Sequence, residues 1–121
     1  MIETPLAYLE AAPEAGRPWL TEFWAYVEQH YPSVAVTMFR QTPMYKFESS
    51  YLRGYVMFTA AAKHFSAHAI DFDLVQQAKD AIDTSFGGKG SVSVRYAHEA
   101  AKPALRDFVD AVMARHGIPR A

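Results

Sequence analysis

Residues 34–70 read VAVTMFRQTPMYKFESSYLRGYVMFTAAAKHFSAHAI, and this stretch decides the fold. Val34–Phe39 is rich in β-branched residues, which suit a pleated, half-buried strand. Met44–Phe47, Tyr51–Ala60 and His64–Ile70 read as three further strands, with Gly54 weakening the third or marking a bulge. Glu48-Ser49-Ser50 and Ala61–Lys63 are the turns. Consecutive strands joined by short turns form an antiparallel meander.

Upstream the period changes to that of a helix. Leu20, Phe23, Trp24 and Val27 fall at i, i+3, i+4 and i+7, one helical face, and Pro32 stops the helix. A shorter helix opens at Thr4, a capping residue, with Pro5 in its first turn. Downstream, Asp71 is placed to cap a helix over 72–83 with Phe72, Val75, Ala78 and Ile82 inside. Ser85–Gly90 is a glycine-rich loop, and Ser91–Tyr96 alternates as one more strand. A last helix has Pro103 early in it, buries Leu105, Phe108, Val109 and Val112, and ends at Gly117. The expected class is α+β: an antiparallel sheet packed against N-terminal and C-terminal helices in one domain, residues 1–121. If the helices cover one face, the other is solvated and is the place for a ligand or partner.

Composition narrows the function. The 121 residues contain no cysteine, so thiolate catalysis, disulfides and zinc–thiolate sites are excluded. A cysteine-free chain with no signal peptide and no apolar run near ~20 residues suits the cytoplasm, with no membrane. The net charge of −1 makes nucleic acid a disfavoured partner, because such binders carry basic faces. No serine stands in a nucleophile signature, so no enzymatic role is expected.

Three constellations remain. His64 and His68 share a strand face but stand roughly 13 Å apart, too far to hold one metal. Phe86-Gly87-Gly88-Lys89-Gly90 lacks the phosphate-loop spacing, yet it could form an anion nest with Gly88, Lys89 and Arg95, to which Lys46 and Lys63 would add charge. Tyr45, Phe47, Tyr51 and Tyr55 alternate with Lys46 and near Arg53, a pattern that either stacks nucleic-acid bases or packs across strands.

The order of Gln41-Thr42-Pro43-Met44-Tyr45-Lys46-Phe47, then Tyr55 through Phe65, then Gly88-Lys89-Gly90-Ser91-Val92-Ser93-Val94 and a closing helix resembles the YdhG-like family of small bacterial domains of unknown function. The resemblance covers nearly the whole chain. It implies a small α+β domain and, because some members are described as frataxin-like iron chaperones, ferrous iron as a ligand. His68, Asp71 and Asp73, clustered at a strand-to-helix junction, are the expected iron ligands. The reading is a non-enzymatic binding domain for iron or a small anion. The alternative is a protein-interaction module or homodimer acting through its exposed sheet, with an anion-binding loop at 87–90.

Overall fold

The computed structural model describes residues 1–121. Helices α1 (Pro5–Ala11) and α2 (Arg17–His30) come first. Strands β1 (Val36–Phe39), β2 (Thr42–Lys46), β3 (Tyr55–Ala60) and β4 (His64–His68) follow. Helix α3 (Phe72–Ala81), strand β5 (Ser91–Arg95) and helix α4 (Lys102–Arg115) complete the chain. The strands lie in the order β1-β2-β3-β4-β5, each antiparallel to its neighbour. The expected α+β meander is the observed one.

Register divides the sheet into two faces. Tyr45, Val56, Phe58, Phe65, Ala67, Val92 and Val94 share one face and all join the hydrophobic core. Helix α2 brings Trp19, Leu20, Phe23, Trp24 and Val27 against it. The Phe23 ring lies 5.5 Å from Phe58 and 5.0 Å from Phe65. Helix α4 adds Leu105, Phe108, Val109, Val112 and Met113, and α3 adds Leu74, Val75 and Ala78. Each large apolar side chain buried this way contributes about 1.5–3 kcal/mol. Thr4 caps α1, its hydroxyl accepting from the Ala7 N–H at 3.1 Å.

Four expectations are corrected. Tyr51–Arg53 is a short 3-10 turn rather than strand. Gly54 follows it at φ +117, a conformation that only glycine adopts freely. β2 starts at Thr42, before the expected Met44, because the β1–β2 loop is only Arg40–Gln41. Asp71 precedes α3 but makes no capping bond, because its carboxylate turns to His116 instead. Phe72 is 43 % exposed, and Leu74 takes its expected place in the core.

The opposite face carries Met44, Met57, Thr59, Ser66, His68 and Ser93. Its centre is not solvated as its polar residues suggest. Met44 is 1 %, Ser66 5 % and Ser93 4 % exposed, and Met44 is buried outside the helix-packed core. Aromatic rings stand at both margins. Phe39, Tyr51 and Tyr55 contact one another at the β1–β3 side, and Phe86 contacts His64 beside β5.

Candidate functional site

This second face gathers the chemistry that the helices do not use. Antiparallel pairing sets Thr59 opposite Ser66 and Ser66 opposite Ser93, which aligns a row of hydroxyls across three strands. Ser66 and Ser93 share a 2.6 Å hydrogen bond, which satisfies both buried hydroxyls. Thr59 Oγ1 lies 2.8 Å from His68 Nε2. Burial pushes the His68 imidazole down to about 4, so it is neutral at ordinary pH.

Charge is segregated between sheet and helices. None of the thirteen Asp and Glu residues falls within a strand. The charged strand residues are Lys46 and Arg95, and both belong to the second face. On the helical side the cations are engaged. Lys102 and Arg106 pair with Glu22, Arg115 with Asp73, and Arg120 with Asp110. Arg17 and Lys79 donate to backbone carbonyls. The six cations in no ion pair or side-chain hydrogen bond are Arg40, Lys46, Arg53, Lys63, Lys89 and Arg95. All lie on strands or in the segments that flank them. Glu48, in the bend after β2, is the acid nearest to them in sequence.

The residues expected to hold iron are placed apart in role. His68 lies on the sheet face with Thr59. Asp71 accepts from His116 at 3.1 Å and has Arg115 at 3.7 Å. Asp73 receives both Arg115 guanidinium nitrogens, at 2.6 and 2.8 Å, which hold its carboxyl down to about 2. No group of three or more His, Asp or Glu side chains is placed to hold a metal ion. As they stand, the donors therefore do not fit an iron centre.

The expected anion loop is also tied internally. Gly88 N–H donates to Ser91 Oγ at 2.9 Å, and the Gly88 carbonyl accepts from Lys79 at 2.6 Å. Lys89 Nζ sits 5.1 Å above the Phe72 ring. Arg95 is at the far end of β5, roughly 13 Å along the strand from Ser91. Gly88 and Lys89 are thus not brought together with Arg95, which faces His64 on β4.

Of the aromatic run, Tyr45 belongs to the helix-packed face, its hydroxyl donating to Glu28 at 2.8 Å, and Phe47 packs against that core. Tyr51 and Tyr55 belong to the second face. Phe86, expected only as part of the glycine loop, pairs with Ser93 as a short extension of the sheet and joins this face. Its signal was available: a lone aromatic residue before a glycine loop and a strand. The groove between α3 and α4, about 250 Å³, offers only Gln77 and Asp107 among apolar residues and lacks comparable chemistry.

No helix is long and apolar enough to cross a membrane. No family model and no curated protein matches the sequence. Among solved structures, the crystal structure of a DUF1801-family protein, YdhG from Bacillus subtilis, is similar at a TM-score of 0.73 and 13% identity, over 91% of this chain and 88% of that one. At that identity the likeness is one of fold. With its five-stranded antiparallel meander and flanking helices, the chain shares the α+β fold of that YdhG structure.

Proposed function

We propose that the chain is a non-enzymatic binding domain and that the second face of its sheet receives an anionic ligand. One observation carries this reading. Every cation left unpaired lies on the sheet or beside it, while no acid falls within a strand. Unpaired positive charge around a partly sealed surface lowers the cost of bringing an anion there. The neutral His68 and Thr59, half-buried beside the sealed Ser66–Ser93 pair, are the polar groups left to orient it.

Thermal unfolding with inorganic polyphosphate tests the proposal. A ligand that binds only the native state raises the midpoint, by about 2.7 kcal/mol of stability at one hundred times its Kd. The rise should shrink in high salt and disappear in the double variant Lys46→Glu, Arg95→Glu. A midpoint that polyphosphate leaves unmoved, or an undiminished rise in the variant, removes the reading.

Ferrous iron is the alternative ligand. Only the neutral imidazole of His68 speaks for it, and its Nε2 would have to leave Thr59 to bind a metal. Asp71 and Asp73 would have to leave His116 and Arg115 to join. Anaerobic ferrous iron would then raise the midpoint, and Asp71→Ala with Asp73→Ala would abolish the rise.

A further inference from the structure

We propose that the anion received by the second face is a short single-stranded nucleic acid, its phosphates meeting the cations and its bases stacking on the half-buried Phe39, Tyr51 and Tyr55 rings and on the exposed Phe86. This deepens the anionic-ligand reading above and rests on it. A bare phosphate needs only the cations, yet this face also presents aromatic side chains next to them.

At one margin Phe39, Tyr51 and Tyr55 form a continuous array, with ring centroids 4.9 and 6.4 Å apart. Arg40 lies 4.9 Å over Phe39, and Lys46 pairs across the strand with Tyr55. At the other margin Phe86 is 40 % exposed and its ring centroid is 5.0 Å from that of His64, which faces Arg95. Each margin therefore joins a stacking surface to a cation, which is the combination that grips a single strand without reading its sequence. The Thr59–Ser66–Ser93 row lies between the margins. They stand three to five strand spacings apart, roughly 14–24 Å, so an extended chain is needed to reach both.

The backbone adds an independent observation. The loop between Phe39 and Thr42 is two residues long, and both Arg40 and Gln41 have positive φ, 49 and 67. Such loops favour Asn-Gly, and a non-glycine residue there is strained. Strain retained at a loop tip marks a place where the side chain serves a purpose, and here it holds Arg40 over Phe39, the first ring of the half-buried aromatic array.

The test is fluorescence anisotropy with a labelled oligodeoxythymidylate of roughly eight nucleotides, a length within the span one small domain covers. Inorganic polyphosphate and polyglutamate serve as competitors. The oligonucleotide should bind, and its affinity should fall as salt rises from about 0.05 to 0.2 M. Tyr51→Ala and Phe86→Ala should each weaken binding by roughly tenfold. Arg95→Glu should weaken it and reduce the slope of log affinity against log salt by about one or more. Circular dichroism spectra matching the parent keep misfolding out of the comparison.

Oligonucleotide affinity unchanged in Tyr51→Ala and Phe86→Ala, or stronger binding of polyglutamate, overturns nucleic acid as the occupant. Polyphosphate stabilisation without any oligonucleotide binding also overturns it, while leaving the anionic-ligand reading intact. If neither polyanion binds, both readings fall.

Discussion

His68 sits on the sheet where burial excludes most water, and its only side-chain partner is Thr59. Its unfolded value is near 6.5 and its folded value about 4, so between these pH values the unfolded chain binds the extra proton. Stability is therefore fully present above about pH 6.5 and falls as the solution is acidified toward 4, by roughly 2–3 kcal/mol. Urea unfolding at pH 7 and 4.5 should show this loss, and His68→Gln should flatten it. Asp73 does not blur the window, because its pairing with Arg115 is lost only as pH falls through about 2. At Gly54 the constraint is steric. A Cβ would lie 2.5 Å from His116 Cε1 and 2.9 Å from Phe47 Cδ2, at a φ of +117. Gly54→Ala should cost about 1–3 kcal/mol in urea unfolding. The sequence marked Gly54 as a bulge or a break but held no trace of His116 beside it, because the two residues lie far apart in the chain. Asp71 shows the same limit: its position suits a cap, and a distant imidazole claims it.

Helices α2 and α4 are fastened by one carboxylate. Asp110 accepts from the Tyr26 hydroxyl, the Tyr31 hydroxyl and Arg120. Burial, with Asp110 adding to it, pushes the Tyr31 hydroxyl up to about 12, so it remains a donor throughout the working range. Asp110→Ala leaves three donors without their acceptor and should cost about 1–3 kcal/mol by urea unfolding, with Asp110→Asn nearer the parent. Element type was legible wherever a period was strong. The apolar faces of α2 and α4 and the alternation of β5 were read correctly in substance. Boundaries failed where turn chemistry was atypical. Arg40–Gln41 has neither glycine nor asparagine, so nothing in the sequence announced a two-residue hairpin loop. Tyr51–Arg53 continued an aromatic run and therefore read as strand.

One connected core draws on α2, α3, α4 and the strands of the first sheet face. Phe23 packs against both Phe58 and Phe65 at its centre. Phe23→Ala should remove about 3–5 kcal/mol, with far-ultraviolet and near-ultraviolet signals still changing together because the core is shared. Separate transitions would show that helices and sheet unfold independently. The second face needs the whole molecule to exist as a site. Its rings, hydroxyls and cations come from residues 39 to 95, and only the meander sets them side by side. The sequence by itself determined the α+β class, the antiparallel order and most buried stripes, because periodicity and turn spacing are local properties that neighbouring residues impose. Tertiary structure alone decided which aromatics joined the core, which acids were engaged by Arg115 and His116, and that the unpaired cations collect around the sheet. Those outcomes depend on distances between residues remote in the chain, and a net charge of −1 conceals how the charges are distributed in space.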